Sequence, residues 1–153
     1  MDKEKLFEDY KYSRMKIQMK NTYLEDVTIE KENEELEGDY INEITFQKKI
    51  ELKEESSAKG YLRTQVKSRN LETDEVDVHI EVTYSGVFYS DDYMEPTALE
   101  RWVDIQLVPQ LLSYNRSLIT SLTSQMDIEP INLPTVDVLE SIGKNMPEET
   151  GEK

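Results

Sequence analysis

The residues best suited to chemistry in this sequence are His79 and the carboxylates two positions away on either side, Asp77 and Glu81. An imidazole between two carboxylates can exchange protons or bind a cation. A strand with one polar face produces the same spacing, however, and a flat sheet face offers no pocket for a substrate. We therefore favour a structural role for His79 and expect no enzyme, since His79 is the sole histidine and none remains for a serine triad.

A second candidate for chemistry is the acidic run from Tyr23 to Asp39, in which eight acidic side chains accompany one lysine. It suggests a metal site, a solvated loop or a docking surface for a basic partner. A calcium loop needs oxygen ligands at alternate positions, then a glycine at the sixth and a carboxylate at the twelfth. No register of this run supplies that order, so the loop and docking interpretations remain.

The composition narrows the classes of partner. Thirty-three acidic residues against 18 basic ones give a formal net charge of −15, which repels nucleic acid and anionic membranes. A basic protein surface or a cationic segment of an unfolded chain suits this charge, although solubility alone also accounts for it. The chain has no cysteine, which excludes disulfides and zinc–thiolate sites. Gly143-Lys144 lacks the upstream glycine of a phosphate-binding loop, so we expect no cofactor.

The length and the apolar segments bear on location and organisation. No segment is long enough to span a bilayer, and the start of the chain lacks the apolar core of a signal peptide. We therefore expect a cytoplasmic protein with no membrane partner. At 153 residues the chain is expected to form a single domain, 1–153, with an ordered core over about 10–142 and a frayed tail over 143–153.

Alternation of apolar and polar residues predicts four strands. The clearest strand runs from Val76 to Tyr84, with its apolar residues facing a core and the polar residues between them facing water. Short polar connections over 54–60 and 68–74 favour antiparallel neighbours. The other strands are predicted over Ile44–Leu52, where Lys48 interrupts the apolar side, over Leu62–Val66, and from Met15 through a bend to Ile29.

The apolar period then changes to one typical of helices. A long helix is predicted from about Leu99 to Gln125. Pro96 suits its start, whereas Pro109 is expected to kink or split it. A short C-terminal helix is predicted over 135–142, capped by Thr135 and ended by the glycine at 143. The fold class is thus α+β: a four-stranded antiparallel sheet with one long and one short C-terminal helix packed on one face.

Aromatic residues collect around the junction between the last strand and the long helix. Such rings could line a groove for apolar peptide segments, because they give a large contact area at a small entropic cost. For any single ring core packing is the better interpretation, but the cluster as a whole lies on a connection, where functional surfaces gather. The candidate groove residues are Phe88, Tyr89, Tyr93 and Trp102.

Three motifs occur along the chain in a recognisable order: Asp26-Val27-Thr28-Ile29-Glu30, then Ile80-Glu81-Val82 with Gly86-Val87-Phe88, then Arg116-Ser117-Leu118-Ile119 with Ile131-Asn132-Leu133. They resemble, in that order, Asp-Ile-Ser-Phe-Glu, Cys-Glu-Val with Gly-Ile-Phe, and Arg-Glu-Cys-Ile with Leu-Asn-Leu-x-Pro-Val. These are motifs of the SecB-like superfamily, whose founding member is the bacterial protein-export chaperone. The resemblance spans most of the chain, from about residue 12 to residue 142.

The resemblance implies a sheet-and-helix fold that assembles into a dimer or a dimer of dimers. In the export chaperone, acidic residues of the first two motifs contact the basic tail of the translocase motor ATPase, and they match Asp26, Glu30 and Glu81 here. His79 replaces a leucine of the family. The chain also resembles a small uncharacterised SecB-like family of streptococci and lactobacilli, so a shared fold need not mean a shared task.

The leading functional hypothesis is an ATP-independent holding chaperone or targeting factor that binds unfolded polypeptides and serves protein export. The alternative is an interaction or regulatory module with one dedicated protein partner. Within the acidic run, Asp26 to Glu30 alternates like a strand and carries the docking hypothesis. From Lys31 to Asp39 we expect a solvated loop, with Gly38 in the turn into the next strand.

Overall fold

Four long strands and two helices make up the described part of the chain. The computed structural model describes residues 2–33, 36–54 and 56–133. The strands form one antiparallel sheet in the order β1-β4-β3-β2, which confirms the predicted α+β class. The elements are α1 (Lys3–Lys16), β1 (Gln18–Lys31), β2 (Tyr40–Lys53), β3 (Ser57–Asn70), β4 (Val76–Tyr89) and α2 (Pro96–Ser124).

Helix α1 is absent from the sequence prediction, which instead begins a strand at Met15. Asp2 caps the helix, because its carboxylate accepts a hydrogen bond from the backbone N–H of Glu4 at 2.9 Å. Ser13 is the one residue of α1 that is buried, so the sequence carries no apolar stripe of helical period. The prediction of a strand beginning at Met15 was therefore wrong for Met15 and Lys16, which end α1. Strand β1 begins two residues later, at Gln18.

Helix α2 covers the sheet on one side and packs chiefly on β3 and β4. Pro96 stands at its start, as predicted. Of the two outcomes expected at Pro109, a kink or a split, the split does not occur: α2 continues through the proline, which removes only one backbone donor. The core between helix and sheet includes Leu62, Val66, Ile80, Val82, Phe88, Val103, Leu107, Leu111 and Ile119, all with no exposed surface.

Two facing glycines let α2 approach the sheet closely. Gly60 of β3 lies opposite Gly86 of β4. A Cβ atom at Gly60 would lie 2.9 Å from Leu107 Cδ1 and from Phe88 Cε1, far inside van der Waals contact. The missing side chain at Gly60 therefore leaves space that Leu107 and Phe88 occupy, and the one at Gly86 leaves space that Met19 occupies.

A buried ion pair accounts for the lysine that interrupts the apolar face of β2. The Lys48 ammonium lies 2.9 Å from an Asp104 carboxylate oxygen of α2, and the Lys48 side chain is only 5% exposed. The charge is tolerated at this position because a carboxylate of the opposite layer compensates it. Sequence alternation locates Lys48 on the core side, but the partner comes from a distant helix.

The alternation predicted for the strand Val76 to Tyr84 fails at Asp77. The register between β3 and β4 shifts by one residue there, and such a bulge re-aims a side chain. Asp77 is 3% exposed and accepts hydrogen bonds from the Tyr40 hydroxyl at 2.6 Å and the Asn33 amide at 2.8 Å. The hydrogen bond to Asp77, together with burial, raises the pKa of Tyr40. The expectation that Asp77 faces water was therefore wrong.

Several predictions concern the ends and connections of these elements. Gly38 has a φ of 91° ahead of β2, which agrees with the predicted turn. The predicted short helix over 135–142 and the tail over 143–153 lie outside the described residues. Of the two helices described, neither combines the length and the apolar character needed to cross a membrane.

Candidate docking face and aromatic cluster

The sheet register brings the three predicted docking carboxylates together. In the pairing of β1 with β4, Asp26 lies opposite Thr83, Thr28 opposite Glu81, and Glu30 opposite His79. Opposed residues of an antiparallel pair point to the same face, and the neighbours of Glu81 in β4 are core residues. Asp26, Glu30 and Glu81 therefore form a triangle on the outer face of the sheet, the face turned away from α2.

These three carboxylates have only neutral or weak partners. Glu81 accepts a hydrogen bond from the Gln65 amide at 2.6 Å, and a carboxylate oxygen of Glu30 lies 3.5 Å from His79 Nδ1. Asp26 accepts a 3.5 Å contact from the Thr28 hydroxyl. Across residues 2–33, 36–54 and 56–133, no lysine or arginine forms an ion pair with any of them. Their charge is thus available to a cationic partner.

The neighbouring Glu25 differs because the sheet itself compensates its charge. The register of β1 shifts between Leu24 and Asp26, and Glu25 accepts hydrogen bonds from the Ser85 hydroxyl at 2.5 Å and the Lys59 ammonium at 2.9 Å. These contacts hold the pKa of Glu25 below its ordinary value, and the hydrogen bond from Ser85 contributes the most. The charge of Glu25 is therefore already compensated by Lys59, and Glu25 does not belong to the docking triangle.

Arginine and lysine side chains of β3 border the docking triangle. These basic residues were not predicted to lie at the site. Arg63 lies in the same cross-strand row as Asp26 and donates to the Thr83 hydroxyl and to the Gln47 side chain, both at 3.3 Å. Lys67 lies beside His79 in the row of Glu30. A signal for them was available in the sequence, because lysines and arginines recur at alternate positions of β3. The outer face therefore carries an acidic stripe next to a basic one.

His79 does not form the carboxylate-flanked arrangement suggested by its spacing. Asp77 bonds to Tyr40 and Asn33, and Glu81 bonds to Gln65. Its cross-strand contact is with Glu30, and its Nε2 atom is buried without a hydrogen-bond partner in the described structure. Within that same part of the chain no group of three or more potential ligands could hold a metal ion.

The four aromatic groove candidates do not share one surface. Phe88 has no exposed surface and packs beneath α2, so it belongs to the core, which corrects its assignment to an accessible groove. Tyr89 follows it on the opposite face of β4, where the Lys20 ammonium lies 5.0 Å from its ring centroid. Tyr93 is 83% exposed on the connection to α2.

Trp102 lies apart from the other three, on the side of α2 that α1 covers. The centroid of its ring is 4.7 Å from that of Tyr12, and the Arg101 guanidinium carbon lies 4.5 Å from it. Trp102 is half-buried. Because α1 was not predicted, the packing of a helix against this ring was not predicted either.

Comparisons with known proteins bear on the fold. No protein-family model and no curated protein matches the sequence. The SecB-like chaperone Rv1957 of Mycobacterium tuberculosis, solved in complex with a ChAD peptide from the HigA1 antitoxin, has a TM-score of 0.69 at 11% identity, covering 85% of this chain and 97% of that chain. A protein of unknown function from Streptococcus agalactiae has a TM-score of 0.44 at 15% identity, covering 78% of this chain and 97% of that chain. The chain described here has the SecB-like fold.

Proposed function

We propose that this protein is an ATP-independent holding chaperone or targeting factor of the cytoplasm that binds unfolded polypeptides. The observation that carries the proposal is the similarity in fold, over most of both chains, to a SecB-like chaperone solved with a bound peptide. No bond is made or broken in this activity. Affinity arises from burial of apolar client side chains at several weak sites.

Exposed apolar side chains support this proposal. Leu24 is 48% exposed, and Val27 and Ile29 are each 37% exposed, on the side of β1 that faces the same way as the core. Strand β1 also forms an edge of the sheet. An uncovered apolar face on an edge strand suits association with another chain. We therefore include assembly into a homodimer or a dimer of dimers, which would multiply the client sites.

The docking triangle suggests how such a chaperone recruits a partner. Asp26, Glu30 and Glu81 stand on one accessible face without lysine or arginine partners in the described structure, and a basic segment would complement them. We propose that this face engages a basic protein segment, such as the tail of the translocase motor ATPase, which would give the chaperone a part in export.

The second candidate function is a module with one dedicated protein partner. It is favoured by one finding: the structural neighbour was solved with a peptide from an antitoxin, which is a single defined protein. A dedicated partner would bind in a fixed stoichiometry. An unfolded-protein chaperone would bind many unrelated sequences with similar affinity.

Client capture separates these functions. The purified protein is titrated with a chemically unfolded, aggregation-prone client, while light scattering follows aggregation and a pull-down from lysate identifies bound chains. A holding chaperone slows aggregation at near-stoichiometric ratios and retains many unrelated chains. Retention of one folded protein without any effect on aggregation would instead support the dedicated module.

A further inference from the structure

Charged side chains lie symmetrically about β4 on the outer face of the sheet. Asp26 of β1 and Arg63 of β3 are both paired with the same residue of β4. Four positions further along the two strands, Glu30 and Lys67 are likewise both paired with one residue of β4. Adjacent strands are about 4.8 Å apart, so each carboxylate has a basic residue about 10 Å away in its own cross-strand row.

The basic members of these two rows have no carboxylate partner. Arg63 donates to the neutral side chains of Thr83 and Gln47, both at 3.3 Å. Lys67 is exposed and forms no ion pair within the part of the chain that the structure describes. The carboxylates of the same rows have only contacts at 3.5 Å. The outer face therefore presents uncompensated charge of both signs, and a surface that complements the whole face must carry both.

A second copy of this chain carries both charges at the required spacing. A two-fold axis parallel to the strands and centred over β4 turns the outer face of the copy onto that of the first chain. It places β3 of the copy over β1 and keeps every row level with its own image. Asp26 then faces Arg63 of the copy, Glu30 faces Lys67 of the copy, and the symmetry repeats both pairs. A two-fold axis across the strands would instead place β1 over β1 and oppose like charges.

The shape and the size of the face suit this contact. Rotation about the axis preserves the hand of the sheet twist, so two copies of the twisted sheet nest with their strands aligned. Strands β1, β4 and β3 each have 14 residues. At the usual strand spacing and rise per residue they cover about 650 Å², or about 1,300 Å² for the two faces. Specific interfaces begin at about this size, so we expect weak and reversible association.

Like charges that the axis brings together are offset or compensated. Glu81 lies on the axis and faces Glu81 of the copy. The Gln65 amide, at 2.6 Å, holds each of these carboxylates toward its own β3, and the symmetry displaces the two in opposite directions. Farther along the face Lys20 meets Lys59 of the copy, but Glu25 already compensates the Lys59 ammonium at 2.9 Å.

We propose that the outer face of the sheet is a self-docking surface, on which two copies of this chain associate face to face about a two-fold axis over β4. Four ion pairs hold the copies together, Asp26 with Arg63 and Glu30 with Lys67 in both directions. The inference stands on the register and the charges, and it does not require the proposed chaperone function. The contact covers the docking triangle, so a basic partner and a second copy exclude each other.

Charge exchange within one row tests the inference, with self-association measured by sedimentation equilibrium. Exposed ion pairs are individually weak, so the protein concentrations are well above those of a peptide titration. Asp26→Arg and Arg63→Asp each turn two attractive contacts into repulsive ones, and each should weaken self-association at least about fivefold. The variant with both substitutions has the net charge of the wild type and re-forms both contacts with reversed sign. Its self-association should return to within about twofold of the wild-type value.

The matched control exchanges charges between the two rows. Asp26→Arg combined with Lys67→Asp has the same net charge and the same total charge on the face, but it opposes like charges in both rows of the dimer. Its self-association should be at least as weak as that of the single variants.

Two results would overturn the inference. One is a wild type without self-association, or with self-association that Asp26→Arg leaves unchanged. The other is a variant with both Asp26→Arg and Arg63→Asp that associates no better than the control. Misfolding cannot produce rescue by the second substitution, and the capacity to hold an unfolded client is measured separately.

Discussion

Two adjacent carboxylates of β1 have different environments because of one irregularity in the strand. Glu25 lies at the register shift and bonds to Ser85 and Lys59, whereas Asp26 returns to the regular ladder and faces solvent. The sequence shows two acidic residues in a row and cannot tell them apart. The bulge decides which of them is paired with Lys59, and bulges depend on strand pairing that a single sequence does not display.

The contacts of Glu25 with Ser85 and Lys59 predict a pH-dependent contribution to stability. Because its pKa is lowered in the folded protein, the contribution is present above the ordinary glutamate range, near 4.3, and is lost as the pH falls through the lower folded value. Glu25→Gln should therefore lower the urea midpoint slightly at neutral pH, and the difference should shrink in acid. The control is Glu54→Gln on the exposed turn after β2. A difference that grows in acid would contradict this assignment.

Two buried charged residues, Lys48 and Asp77, show how far strand alternation predicts the side of the sheet on which a residue lies. Alternation correctly placed Lys48 on the core side of β2, but its partner Asp104 follows from how α2 lies on the sheet. Asp77 was assigned to water by the same rule and is buried instead. The period of a strand predicts the side of each residue only while the register stays regular.

The elements themselves were predictable where the apolar period was strong. Strand β4 and helix α2 carry clear periods, and the structure contains both. Helix α1 carries none, since its contacts with α2 are a ring pair, a hydrogen bond and an ion pair. Such specific contacts leave no periodic trace in the sequence. Neither α1 nor its packing against α2 was therefore predicted from the sequence.

The glycine pair under α2 gives a prediction for the helix–sheet interface. Gly60→Ala forces a methyl group against Leu107 and Phe88, which are fully buried and cannot yield, so it should destabilise by about 1–3 kcal/mol. Gly86→Ala meets the thioether of Met19 at 2.6 Å, which is flexible and partly exposed, so its cost should be smaller.

Urea denaturation of the two glycine variants provides the measurement. The expected order of midpoints is wild type, then Gly86→Ala, then Gly60→Ala. Because the two glycines are paired across adjacent strands, backbone effects are similar in both variants. Equal destabilisation would show that the space beside Leu107 is not the limiting contact.

For the whole molecule, the distribution of charge matters more than its total. A formal charge of −15 predicts attraction to any basic partner, but the outer sheet face places acidic and basic stripes side by side. The docking positions were transferred by motif resemblance, and the register places them in one triangle. The bordering Arg63 and Lys67 were not foreseen, because the acidic residues of β1 come to lie beside them only through the pairing of β1 with β4, which the sequence does not display.

The last prediction separates local docking from general attraction. Asp26→Lys and Glu81→Lys reverse charges in the triangle, and Glu75→Lys makes the same reversal on an exposed turn, so all three variants have the same net charge. A peptide with the sequence of a basic translocase-motor tail should bind the first two variants at least about fivefold more weakly at low salt. The difference should decrease as added salt screens the charges. Equal weakening by Glu75→Lys would assign the binding to net charge alone, and light scattering on each variant checks that assembly is unchanged.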